Sequence, residues 1–485
     1  MKVNPKYLFF IWIGLYFIFL ILNLDRIPVA WTDEAQLLDP AARYIFNGKF
    51  NTTLYAFETS TQVYASSLPF IQLVHLLVLK FVGTDVFWIR LPMAIAAFAS
   101  VFLLYKILKN YKYQPLLLLI IPALFLHDKT VYEMIRAGRM EIFTALFFLL
   151  SFHWLSQRKF FLSTISTSLL ILTHPAAWSA GLVIFLFGWF KTKNTQDKIV
   201  LPLLVLLPSV IWLWFIGFDL TALQDQLIGQ GKDHGTDLSP GNYLTNNLWY
   251  RFWPYWKEQP YMILLHLWAI GFSIFEILKN RKLNNLILEL CFLSTEVFMA
   301  LMLATHHRYN VLLVLLITML LAKALNRSYY RIRDKKLKFC FAILLPFILF
   351  PFISRNAIGL AERRERDPKE VLKWIENTIP IEDKTLLTGS NILHYFAIEK
   401  PPFTFFEKIY PQQIKFDQFD HYYLLAAESP HQDAVPISTY LVERNFWSTK
   451  ISEYVNTKNY NGLVLYKIPN TKAIKEITKP YNHAD

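Results

Sequence analysis

The sequence predicts an α-helical polytopic membrane protein, with about eleven spans plus juxtamembrane helices, carrying a small C-terminal α/β extracytoplasmic domain. Three observations predict it. Apolar residues make up 54% of the 485 and charged residues 18%, against about 45–50% and about 25% in a soluble domain. The mean hydropathy is +0.31. The apolar surplus is confined to long runs before residue 354, and the residues beyond it have the composition of soluble protein. The chain therefore divides into a membrane domain over 1–354 and an extracytoplasmic α/β domain over 355–485.

A spanning helix needs about 20 apolar residues. Runs that approach this lie at 7–24, 87–108, 114–130, 140–156, 160–173, 176–190, 199–218, 261–278, 285–304, 309–325 and 338–354. The first comes after Lys2 and Lys6, lacks a small-x-small cleavage site and precedes many further spans, so it reads as a retained helix rather than a signal peptide. The run 68–82 is short for a span and fits a helix lying at the interface. With that assignment the lysines and arginines at 2, 6, 106–112, 158–159, 191–198, 279–282 and 323–338 all fall on one side. The positive-inside bias makes that side cytoplasmic. The N-terminus is then inside and the C-terminal domain outside.

The same distribution excludes nucleic acid as a partner. The net charge is +13 and the pI about 9.4, but the basic residues alternate with apolar runs instead of forming one stripe. Cys291 and Cys340 lie inside apolar runs, so neither belongs to a disulfide framework or a CxxC metal site.

The outer segments carry the chemistry-bearing residues. Tyr243, Trp249, Tyr250, Trp253, Tyr255 and Trp256 crowd the loop 219–260, where they form an interfacial belt or stack on sugar rings. After Ser354, Asp367-Pro368 starts a helix that runs to about Asn377. Strand-like runs come next at Thr385–Leu387, Tyr422–Ala426 and Leu463–Ile468, with Asn391–Ile398 helical between the first two. No Gly-rich phosphate loop occurs among them.

Three clusters stand out on the outer side. The first is Asp33-Glu34, ahead of an apolar-periodic helix with Arg43 that stops at Asn47-Gly48. One carboxylate of such a pair can deprotonate a hydroxyl while the other orients it, although acids at a helix start also simply favour the dipole. The second is Glu133, Arg136, Arg139 and Glu141, bracketing the turn before the fourth span. A charge buried against an apolar helix costs a few kcal/mol, so it has a partner or a task. The third is His306-His307-Arg308-Tyr309 before a late span, with His174-Pro175 at the same level. A guanidinium such as Arg308 forks onto phosphate oxygens, or snorkels as an anchor. Carboxylates and arginines from separate outer turns thus gather at one membrane face.

These motifs resemble the GT-C superfamily, specifically the protein O-mannosyltransferases and the aminoarabinose transferases. The shared features are Asp33-Glu34 in the first outer loop, in-plane helices at about 35–47 and 68–82, Arg139-Met140-Glu141 before the fourth span, and Arg308-Tyr309. The resemblance covers about residues 1–325. It implies a GT-C transmembrane catalytic domain that transfers a sugar from a polyprenyl-phosphate-sugar donor, by inverting displacement, to a lipid, glycan or protein acceptor. It further implies Asp33 as base, Glu34 as its support, and Glu141 as the group that positions acceptor or a metal. Arg139 and Arg308 would hold the phosphate, with Arg136, His307, Tyr309 and His174 lining the substrate. A divalent metal ion is left open as cofactor, because the Glu-Lys pair of the aminoarabinose enzymes is replaced here by Glu58 without a neighbouring lysine. The home it implies is the inner (plasma) membrane. A transporter or flippase of lipid-linked glycans is the other class to weigh. Transporters place polar groups near the midplane in repeated halves, and no half-repeat shows here.

Overall fold

The computed structural model describes residues 5–22, 24, 32–50, 69–221, 224, 252, 255–256, 260–280, 282–301, 307–331, 368–379, 385–389, 404–406, 421–426, 435–441 and 462–468. They fall into two compact units. The first comprises Met1–Leu22, Leu68–Ile71 and Leu91–Arg355, and the second Asn23–Ser67, Gln72–Arg90 and Asn356–Asp485.

The described helices are, in chain order, α1 (Pro5–Ile21), α2 (Thr32–Asn47), α3 (Pro69–Phe81), α4 (Val86–Asn110), α5 (Pro115–His127), α6 (Lys129–Arg136), α7 (Glu141–Ser156), α8 (Phe160–Thr173), α9 (Trp178–Lys191), α10 (Thr195–Phe215), α11 (Pro260–Lys279), α12 (Ile287–Leu301), α13 (Val311–Arg331) and α14 (Pro368–Thr378), and all but the polar α2, α6 and α14 fall on apolar runs. Among the described residues, four are long and apolar enough to cross a membrane: α4, α10, α11 and the helix through Arg308–Ser328. A bent pair, Pro115–Leu126 with Lys129–Arg136, makes a fifth if counted as one span. The expected run 114–130 therefore breaks with a bend of 63°. Asp128 causes the restart, because its carboxylate accepts the Val131 N–H at 3.2 Å and caps α6. The expected span at 338–354 and helix at 391–398 lie outside the described residues.

In the first unit the N-terminal half of α13 is deeply buried. Val311 to Ile317 are all 3% exposed or less, so the helix is apolar around its whole circumference, as a central helix must be. Helix α10 is the opposite case, with Leu203, Leu206, Leu207 and Trp214 exposed, an apolar surface suited to lipid. Helix α1 is tied to its neighbours by Phe9 stacked on Tyr105 at 4.0 Å, and by the Tyr16 hydroxyl donating to the Leu126 carbonyl at 2.9 Å. Far from its Tyr309 end, α13 is held by ion pairs of Lys323 with Glu289 and of Arg327 with Glu276.

Without a hydrophobic drive between helices in lipid, small residues let backbones approach. Gly181 does this on α9, where an added Cβ would meet the Ile171 side chain of α8 at 3.1 Å.

In the second unit Gly48 ends α2 with φ +73°, at the expected stop. Gln72 and His75 of α3 both reach the Leu37 carbonyl of α2, each at 3.1 Å. Helix α3 has 13 residues, or about 20 Å at 1.5 Å per residue, too short to span. The C-terminal part has a five-stranded sheet in the order β2-β1-β3-β5-β4. Its strands are β1 (Thr385–Gly389), β2 (Thr404–Phe406), β3 (His421–Ala426), β4 (Val435–Leu441) and β5 (Gly462–Ile468). Strand β1 lies parallel between β2 and β3, while β5 lies antiparallel between β3 and β4. Pro436 sits on β4, an edge strand, where its missing N–H is tolerated.

Replacing Gly181 by Val is expected to overpack the α8–α9 contact and destabilise by about 1–3 kcal/mol. A lowered melting temperature in detergent, with Gly181→Ala between it and the wild type, checks this.

Candidate functional site

The turn between α6 and α7 is short and needs Gly138, whose φ is +62°. It sets Arg139 and Glu141 side by side at the start of α7. The Arg139 Nε and Nη2 both donate to Glu141 Oε1, at 2.8 and 2.6 Å. Both residues are buried, Arg139 to 5% exposure and Glu141 to 1%. Two charges can be taken from water together only when geometry and hydrogen bonds compensate them.

His174 joins them from the α8–α9 turn. Its Nδ1 accepts the Ala176 N–H at 3.1 Å and caps the short turn Pro175–Ala177. Its ring lies 4.6 Å from that of Tyr309. Burial pushes the His174 pKa down to about 4, against an opposing pull from Glu141 and with a smaller lowering from Arg139. The imidazole is therefore neutral at physiological pH. Tyr309 belongs to the 3₁₀ turn His307–Asn310 ahead of α13 and is half-buried. Arg308 beside it is also half-buried. Arg139, Glu141, His174 and Tyr309 thus meet, from three turns far apart in sequence.

Other candidates are placed elsewhere. Arg136 donates to the Leu20 and Leu22 carbonyls at 2.5 and 3.0 Å, closing the C-terminal end of α1. Glu133 pairs with Lys129 at 3.7 Å. Asp33 and Glu34 lie on α2 in the second unit. Glu34 makes a fork-to-fork pair with Arg90, at 2.6 and 2.7 Å, and both are fully buried. Arg90 Nη1 also donates to the Leu24 carbonyl at 2.8 Å. The side chains of Asp33 and His307 lie outside the described residues.

Sequence reasoning does not single out Arg90, though a signal exists: an arginine near the start of the apolar run 87–108 needs a partner. Among the described residues no three His, Cys, Asp or Glu side chains are grouped to hold a metal ion. Glu141 and His174 are two possible donors, but the imidazole Nε2 carries the proton and a guanidinium already engages the carboxylate. That set does not fit a divalent cation.

The described residues belong to a polytopic membrane fold that is also seen in solved structures. Two crystal structures of ArnT from Cupriavidus metallidurans share it. The one bound to undecaprenyl phosphate has a TM-score of 0.52 and 12% identity, covering 95% of this chain and 98% of that one. The apo form gives 0.53 and 10%, covering 97% and 98%. At such identities the likeness is one of fold, which hosts function without fixing it. No family model and no curated protein matches the chain.

Arg90→Met is expected to strand Glu34 and cost about 3–5 kcal/mol, while the double variant Glu34→Gln/Arg90→Met recovers most of it; thermal melts in detergent check this. Since the folded pKa of His174 is depressed, the unfolded state binds the proton first, and stability falls as pH drops from about 6.5 toward 4. Nitrogen-15 NMR of labelled histidines should show the His174 ring neutral at pH 5.5.

Proposed function

We propose that this protein is a membrane glycosyltransferase that moves a sugar from a polyprenyl-phosphate-linked donor to a lipid, glycan or protein acceptor, by inverting displacement. The observation that carries the reading is the cluster of buried Arg139, Glu141 and His174 with half-buried Tyr309, set at helix ends of a GT-C-like fold. ArnT, which has that fold, was crystallised with undecaprenyl phosphate. The placement of Glu141 at the first residue of α7, not mid-helix, weighs against a transporter.

In the proposed reaction the acceptor hydroxyl oxygen attacks the anomeric carbon from the face opposite the phosphate. The bond from that carbon to the phosphate oxygen breaks, and its electron pair leaves with the polyprenyl phosphate. Asp33 takes the hydroxyl proton, a service worth about 10²–10⁴ in rate. Glu34, through Arg90, fixes the stretch of α2 that carries Asp33. Arg308 holds the departing phosphate, with Arg139 adding positive charge that Glu141 partly offsets. By the positive-inside reading the N-terminus is cytoplasmic, the C-terminal domain extracytoplasmic, and the home a bacterial inner membrane.

The test compares purified wild type with Asp33→Asn on a panel of radiolabelled undecaprenyl-phosphate sugars and host membrane extract. Wild type should transfer sugar, and the variant should lose about a hundredfold or more. Equal activity in both would remove Asp33 as base; no turnover of any donor would count against the enzyme.

A further inference from the structure

The pairing within the cluster is lopsided. Arg139 directs both Nε and Nη2 at Glu141 Oε1, and Oε2 is buried without a hydrogen-bond partner. A buried acceptor left so costs about 1–3 kcal/mol, and such a cost is kept where a ligand completes the site. His174 offers the matching group. Because its Nδ1 accepts the Ala176 N–H, the proton of the neutral ring sits on Nε2, which is a donor only. Glu141 lies near enough to His174 to oppose the loss of its proton, and both are anchored, one at a helix start and one in a cap.

We infer that Glu141 Oε2 and His174 Nε2–H form a subsite for an uncharged sugar hydroxyl, so that the donor sugar is neutral and hydroxyl-bearing at that position, not cationic. This rests on the glycosyltransferase reading above. A hydroxyl donates to Oε2 while accepting from Nε2–H, and satisfies both. An ammonium has donors alone, so it would meet Oε2 but confront the imidazole N–H and the Arg139 guanidinium. A phosphate has the reverse fault, since its oxygens would face the carboxylate. The Tyr309 ring beside His174 offers an apolar face for the C–H side of a pyranose.

The test is a binding measurement on the detergent-purified full chain, using short-chain prenyl-phosphate hexose, its amino analogue and its deoxy analogue. The hexose should bind at least about tenfold more tightly than either analogue, because a site built for a hydroxyl rejects what lacks it. His174→Asn keeps an acceptor for the Ala176 N–H but drops the Nε2 donor; Glu141→Gln alters the acceptor. Both should shrink the preference to within about threefold. Bare prenyl phosphate should bind the wild type. Tighter binding of the amino analogue, or a preference unchanged in both variants, would overturn the subsite. Failure of bare prenyl phosphate to bind any form would instead count against the glycosyltransferase reading. The subsite would then be judged by the same comparison on methyl glycosides.

Discussion

Charge in an apolar bundle must be answered within reach of one side chain, and much of this architecture depends on how the buried guanidinium groups are answered. Arg90 finds the Glu34 carboxylate and the Leu24 carbonyl. Arg136 finds the last carbonyls of α1, which a helix leaves open at its C-terminal end. Arg139 finds Glu141 two residues on. The first two tie together segments that are far apart in sequence. Carbonyl partners make a structural clamp, and the fork-to-fork Glu34 pair, with both its oxygens engaged, does the same. Of these three, the Arg139 pair leaves a carboxylate oxygen idle, and it lies where His174 and Tyr309 gather.

Sequence makes the helices legible because an apolar run has one plausible fate in a chain of this hydropathy. The expected runs at 87–108, 140–156 and 160–173 differ from α4, α7 and α8 by at most two residues at either end. The break at Asp128 is not legible, since an acid inside an apolar run reads equally as a tolerated charge or as a cap. Strand runs at 385–387, 422–426 and 463–468 fall on β1, β3 and β5. Strands β2 and β4 escape for local reasons: β2 has only three residues, and Pro436 argues against strand unless the strand is known to lie at an edge.

For the candidate site, residue types are readable and partners are not. The pattern Arg-Met-Glu at 139–141 announces a buried pair because its members are adjacent. The pair of Glu34 with Arg90 spans 56 positions, and nothing local says that an acid beside a candidate base is already engaged. Arg136 resembles Arg139 in sequence, yet the two are committed to different tasks. His174 reads as a lone histidine at a span end, and its worth emerges only once Tyr309 lies beside it.

The shared carbonyl of Leu37 has a consequence for motion. A carbonyl oxygen only accepts, so both the Gln72 amide and the His75 Nδ1 must bring protons to it. Two donors from successive turns of α3 converge on one atom of α2. Sliding or rotating either helix by a single residue would break both bonds together, with no intermediate register to rest in. The register of the two short helices is therefore fixed at a single backbone atom.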